Sequence, residues 1–143
     1  MASPTELKTS RHLRAPRHEV FAAISNPERL ARWWGPAGFT NTFEICEFRN
    51  GGRWLFTMHG PDGANYPNEC TFLDIQAGER VVIRHTCPPL FTLSIQLSEA
   101  DGITRIDWCQ RFDDAATCNA LSDVCIPSNE QNLYRLATEV EKQ

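Results

Sequence analysis

The chain reads as an α+β domain in which a curved antiparallel β-sheet carries a long C-terminal helix across one face, with two short helices after the first strand. Three observations predict this. From Phe39 to Phe112 apolar residues recur at every second position, the period of half-buried strands. Short turn signals separate those runs, as in consecutive hairpins. After Asp113 the alternation stops, and Leu133, Leu136, Ala137 and Val140 form a stripe at helical spacing. That order of elements places a helix on one face of an antiparallel sheet.

Leu7 to Leu13 alternates loosely and predicts the first strand, closed by Ala15-Pro16. Glu19 to Ile24 predicts a short helix, with Pro16 suited to its first turn. Asn26 is a natural N-cap and Pro27 a natural first residue for a second helix, Glu28 to Trp33, which Gly35-Pro36 ends. Phe43 and Ile45 then alternate with polar neighbours, and Asn50-Gly51-Gly52 signals a hairpin. Trp54, Phe56 and Met58 mark the next strand, and Gly60-Pro61-Asp62-Gly63 turns it. Strands follow at Glu69 to Ile75 and Arg80 to Thr86. Cys87-Pro88-Pro89 interrupts pairing, since proline cannot donate to a ladder. Phe91 to Leu97 alternates cleanly, Ala100-Asp101-Gly102 turns the chain, and Ile106, Trp108, Gln110 and Phe112 share a face of the last strand. Ala115 to Val124 predicts a helix that Pro127 should break or kink, with Ser128 capping a second stretch, Asn129 to Lys142.

The 143 residues, without repeats, low-complexity tracts or linkers, predict one domain over 1–143. Hydrophobic residues make up 41% and charged residues 22%, which argues against disorder. A net charge of −4 lacks the basic footprint of a nucleic-acid binder and gives no polybasic run for an anionic membrane. No apolar run approaches the ~20 residues of a membrane helix, so membrane insertion is not expected. Met1 to Ser10 has no apolar core of a secretory signal. Six cysteines without a C-x-x-C pair, in a chain of this size, read as free structural thiols in a cytoplasmic protein. Neither a metal nor a cofactor is expected, and nucleotide-binding, nucleophile-elbow and zinc-protease motifs are all missing.

Several segments together resemble a known family. They are Arg11-His-Leu-Arg-Ala-Pro16 with Val20-Phe21, and Asn26-Pro-Glu-Arg-Leu-Ala-Arg-Trp-Trp-Gly-Pro36. Then come Gly51-Gly-Arg-Trp-Leu-Phe-Thr-Met-His-Gly-Pro-Asp-Gly63 with Tyr66-Pro67, Glu79-Arg80, and Asn129-Glu-Gln-Asn-Leu-Tyr-Arg-Leu136. In this order they resemble the Bet v 1-like, START-related superfamily, and within it the group related to the C-terminal domain of the activator of Hsp90 ATPase. The resemblance implies a helix-grip fold, a sheet wrapped around the terminal helix with an internal cavity. It also implies binding of apolar small molecules such as lipids, steroids, polyketides and aromatic compounds; a few members are polyketide cyclases. The chain departs from the pattern at Cys118 to Pro127, a cysteine-rich segment with a proline where an uninterrupted lead into the last helix is expected.

Alternation nominates an inward face independently of that resemblance. Trp54, Phe56, Met58, Ile83, Phe91, Leu93, Ile95, Ile106 and Trp108 share the side toward the terminal helix, as cavity wall or as filled core. His85 is in phase with Val81 and Ile83, so it points inward, either toward a ligand or to a backbone carbonyl. Gln110 lies on the same face and needs partners, from the protein or from a ligand. Trp33 and Trp34 point in different directions, so one packs under the sheet while Trp34 lines an opening. His59 is expected at the surface or the rim, Tyr66 after the hairpin is a minor candidate to bring a hydroxyl to the rim, and His12 and His18 face water.

The inward aromatic set and the resemblance together support a carrier or sensor of a small apolar or aromatic molecule. Two alternatives stand beside it: a cyclase- or hydrolase-type enzyme using a cavity histidine, His85 or His59, and a chaperone-interaction module of the Hsp90 type. An exposed sheet edge would allow a homodimer.

Overall fold

The computed structural model describes residues 4–141. Strand β1 (Glu6–Leu13) leads into helices α1 (Arg17–Ser25) and α2 (Pro27–Trp33). Six strands follow: β2 (Thr40–Cys46), β3 (Arg53–His59), β4 (Asn65–Gln76), β5 (Arg80–His85), β6 (Phe91–Ala100) and β7 (Ile103–Phe112). Helix α3 (Ala115–Val140) ends the fold. The seven strands form one antiparallel sheet in the order β1-β7-β6-β5-β4-β3-β2. Consecutive strands from β2 to β7 are neighbours, and β1 closes the order beside β7. This is the antiparallel sheet with a terminal helix expected from the alternation, and the helix-grip plan that the resemblance implies.

Local chemistry sets the turns. Asn26 caps α2 as its sequence suggests, its Oδ1 accepting from the Glu28 and Arg29 amides at 3.0 and 3.4 Å. Pro16 stands one step earlier than expected, at the N-cap of α1 rather than inside its first turn. Asp101 and Gly102, with φ of 54° and 75°, make the two-residue turn between β6 and β7, a conformation that favours Asp-Gly. Asn50-Gly51-Gly52 ends a longer loop that folds over β4. There Gly51 N donates to Phe72 O at 2.7 Å, and Ile75 N donates to Asn50 Oδ1 at 2.7 Å. A Cβ on Gly52 would lie 1.9 Å from the Glu47 carbonyl oxygen, so only glycine fits this crossing.

Irregularities bend the sheet. The register shifts between Phe43 and Ile45 in β2 and between Phe72 and Asp74 in β4, and bulges of this kind add local twist. β4 starts at Asn65, earlier than the expected Glu69, and takes in Pro67. The proline is accommodated because β4 has no β5 partner before Cys70.

The expected break at Pro127 is corrected. Helix α3 runs through it without interruption for 26 residues. Proline removes one hydrogen bond, to the carbonyl of Asp123, and both residues are exposed on the outer face. The helix is held on either side of that gap. Asp114 caps it, accepting from the Thr117 amide at 2.7 Å, and Cys118, Leu133, Leu136 and Val140 are buried. Ser128 does not cap a new helix but lies within this one; Lys142 falls outside the described residues.

The core lies between the sheet and the helices. Trp54, Ile95, Ile106, Leu133 and Leu136 have no exposed surface, and burying such side chains is worth roughly 1.5–3 kcal/mol each. An ion network joins the three helices. Arg29 bonds Glu19 at 2.8 Å and Glu139 at 2.9 Å, and Arg32 reaches Glu139 at 3.2 Å. None of the six cysteines is in a disulfide, and no helix among the described residues is long and apolar enough to cross a membrane.

Because Pro127 is exposed within a continuous helix, Pro127→Ala should restore the missing amide donor. A gain of about 1–3 kcal/mol in chemical denaturation is expected, with helical content unchanged.

Candidate ligand-binding site

A pocket of about 250 Å³ lies between the sheet and the middle of α3. Strand register builds its floor. Ile83, Leu93 and Gln110 are aligned across β5, β6 and β7, and Cys70, His85 and Phe91 across β4, β5 and β6. Phe56 and Met58 extend the floor on β3, and Trp108 on β7. The roof comes from α3, where Cys125, Ser128, Asn129 and Asn132 follow the i, i+3, i+4, i+7 spacing of one helix face. These side chains are smaller than Leu133 and Leu136 further along, and the gap opens where they replace them.

Trp34, Gly35 and Pro36 close one side. This segment is held from α3 by Arg135. Its Nη1 donates to the carbonyls of Trp34, Gly35 and Pro36 at 3.0–3.1 Å, and its Nη2 to those of Arg32 and Phe39 at 2.8 and 2.9 Å. Asn132 Nδ2 donates to Trp33 O at 2.8 Å, and Ala37 N donates to Gln131 Oε1 at 3.1 Å. From the sheet side, Asn41 Nδ2 also donates to Trp34 O at 2.9 Å. Burial pulls the Arg135 pKa below its ordinary value.

Nine of the twelve sequence-nominated residues border the pocket: Trp34, Phe56, Met58, Ile83, His85, Phe91, Leu93, Trp108 and Gln110. The other three do not. Trp54 is roofed by Trp34, their ring centroids 4.9 Å apart, and stacks on Phe56 at 4.2 Å. Ile95 and Ile106 share the inward face but are fully buried in the core. Alternation identifies a face, while the element covering it decides whether space remains. Trp33 packs inward, its indole N–H donating to Ala23 O at 2.9 Å, so the two adjacent tryptophans do diverge. His59 bonds Thr42 and Asn65, and exposed Tyr66 packs at a tilt against Phe39; neither lines this pocket.

Sequence reading missed the whole α3 contribution. The signal was present in the spacing of Cys125, Ser128, Asn129 and Asn132, but an expected break at Pro127 hid it. Asn68, Cys70 and Pro89 were also missed.

The polar groups are few and largely satisfied. Asn129 Nδ2 donates to Gln110 Oε1 at 3.1 Å. His85 stacks on Phe91 at 4.5 Å, its Nδ1 is 2.7 Å from Pro89 O, and its Nε2 is 2.7 Å from Asn68 Oδ1. Burial lowers the His85 pKa, outweighing the pull of the Pro89 carbonyl in the other direction. Burial likewise raises the thiols of Cys70 and Cys125. Among the described residues, no Asp, Glu, Lys or Arg side chain lines the pocket.

Arg135→Met should release the Trp34–Pro36 segment. A stability loss on the order of 3 kcal/mol and a red-shifted tryptophan emission are expected in denaturation and fluorescence measurements. Arg135→Lys should recover less than half of that loss, because an ammonium cannot reach carbonyls spread along a guanidinium fork.

The whole chain was compared with known proteins. No match was found among the curated proteins. A crystal structure of a Nitrosomonas europaea protein superposes with a TM-score of 0.88 at 20% identity, covering 96% of this chain and 94% of that one. A Chromobacterium violaceum protein gives 0.87 at 23% identity, covering 98% and 100%. The solution structure of an AHSA1-like protein from Aeromonas hydrophila gives 0.75 at 19% identity, covering 94% and 92%. These likenesses establish the fold. The profile of the "Activator of Hsp90 ATPase homolog 1-like protein" family matches residues 14–141, and the chain belongs to that family.

Proposed function

We propose that the protein binds a small, uncharged apolar or aromatic molecule in this pocket, as a carrier or sensor. One observation carries the reading: a space of about 250 Å³ walled by Trp34, Phe56, Met58, Phe91 and Trp108 contains no charged side chain among its described lining residues. A charged ligand there would lose its hydration without a counter-charge, a penalty of several kcal/mol. The volume lies just below the ~300–1,000 Å³ of common ligand sites, which favours a compact one- or two-ring compound over a long acyl chain. Gln110 on the floor and Ser128 and Asn129 at the roof offer polar atoms to orient it. Six unpaired thiols are in keeping with work in the reducing cytoplasm.

Native mass spectrometry of freshly purified protein, followed by extraction, should reveal a retained compound of this class. In titration, 1-naphthol should quench tryptophan emission saturably, and charged 1-naphthoate should bind at least about tenfold more weakly, a difference of ~1.4 kcal/mol. Cys125→Phe, which pushes a ring into the space from the α3 side, should abolish saturable quenching while the fold persists. Equal binding of the two naphthalenes, or no saturable binding of any neutral aromatic, would remove the reading.

A further inference from the structure

We propose that Cys87 is a reactive thiol with His85 as its base, and that it adds to α,β-unsaturated carbonyl compounds. Cys87 is half-buried on the loop after β5, and its Sγ lies 3.5 Å from His85 Nε2. The ring is oriented by its other nitrogen. Pro89 O at Nδ1 and Asn68 Oδ1 at Nε2 both only accept, each at 2.7 Å, so the single proton of the neutral ring serves one of them at a time. In the tautomer protonated at Nδ1, Nε2 has a lone pair to take the proton of the thiol, whose other acceptor is Glu69 O at 3.9 Å. Stacking on Phe91 keeps the ring in that plane, with an interplanar angle of 12°.

Asn68 adds the third part. Its Nδ2 donates to Tyr66 O at 2.8 Å, which fixes the amide with Oδ1 toward His85. Oδ1 sits 2.7 Å from Nε2 and makes a hydrogen bond only when that nitrogen carries a proton. A proton leaving Cys87 for Nε2 therefore meets a waiting acceptor. The charged ring formed during reaction has an oxygen partner at both nitrogens, and the resting neutral ring has one. This is stabilisation aimed at the reacting state. Nucleophile, base and an orienting group lie within reach of one another, the arrangement of an activated thiol.

Among the described residues no other cysteine sulfur lies within hydrogen-bond reach of a histidine nitrogen. Burial pushes the Cys46 thiol up to about 11 and also raises Cys70 and Cys125. Cys109 is raised too, by burial and by the Glu6 carboxylate 3.5 Å away.

In the addition, Cys87 Sγ forms a bond to the β-carbon and its proton passes to His85 Nε2. The C=C π pair moves onto the α-carbon and carbonyl as an enolate. The proton on Nε2 then goes to the α-carbon. The product is a saturated thioether, and no group leaves. Cys87 does not line the pocket although His85 does, so this capture stands apart from the pocket's occupancy.

The test uses N-ethylmaleimide, an α,β-unsaturated imide, at limiting concentration on the full chain, with peptide mapping by mass spectrometry. At pH 7 Cys87 should be labelled first of the six cysteines, and its rate should stay nearly flat between pH 7 and 8. An ordinary thiol of pKa ~8.5 gains several-fold, approaching tenfold, over that unit. His85→Gln should slow Cys87 labelling on the order of tenfold and restore the steep profile. Asn68→Leu should slow it while leaving the base in place. Labelling of another cysteine first, or a steep Cys87 profile in the unaltered chain, would overturn the proposal. The profile of the unaltered chain decides this even where a variant fails to fold.

Discussion

The guanidinium of Arg135 binds five backbone carbonyls of the segment that leaves α2, and the arrangement of the site depends on it. That segment turns sharply through Trp34, Gly35 and Pro36 before it can enter β2. Its carbonyls have no helix or strand to satisfy them, and buried carbonyls without partners are costly. The two Nη groups of one planar fork meet this need from a single side chain on the opposite helix. Asn132 and Gln131 add one bond each from the same helix. The result locks α2 to α3 and holds Trp34 over Trp54, so that one tryptophan becomes core and the other becomes wall.

The pocket itself follows from side-chain size along α3. Towards its C-terminus the inward positions are Leu133, Leu136 and Val140, which fill the space above the sheet. Earlier the same face carries Cys125, Ser128, Asn129 and Asn132, which do not. The helix is continuous, so it spans the gap rather than collapsing into it. Protein interiors normally pack without such voids, and an open space of this size marks a place where packing stability has been given up.

Charge is distributed in keeping with that division. The ion network of Glu19, Arg29, Arg32 and Glu139 lies at the junction of the three helices, and the Arg84–Asp113 pair, at 2.6 and 2.7 Å, ties β5 to the start of α3. The pocket is lined instead by apolar, aromatic and uncharged polar groups and His85. Its one imidazole is committed to protein oxygens and to a cysteine sulfur.

Sequence alone determined what depends on near neighbours in the chain. The period-two runs gave the strands, Asn26-Pro27 gave the start of α2, and Asp101-Gly102 gave the last hairpin, because strand alternation, capping and turn conformation are local. The inward face was equally legible, and with it nine of the nominated lining residues. What lay beyond reach was whatever depends on distant segments meeting. Pro127 looked like a break because its local cost is visible and the tertiary anchoring of Cys118 and Leu133 is not. Ile95 and Ile106 looked like cavity wall because alternation shows which face is covered and not how fully. Arg135, Asn68 and Cys87 gave no local sign, since their roles exist only when residues far apart, or strands in register, bring a donor opposite its acceptor. Only the tertiary structure decided those, because hydrogen bonds and packing act over a few ångströms of space whatever their separation along the chain.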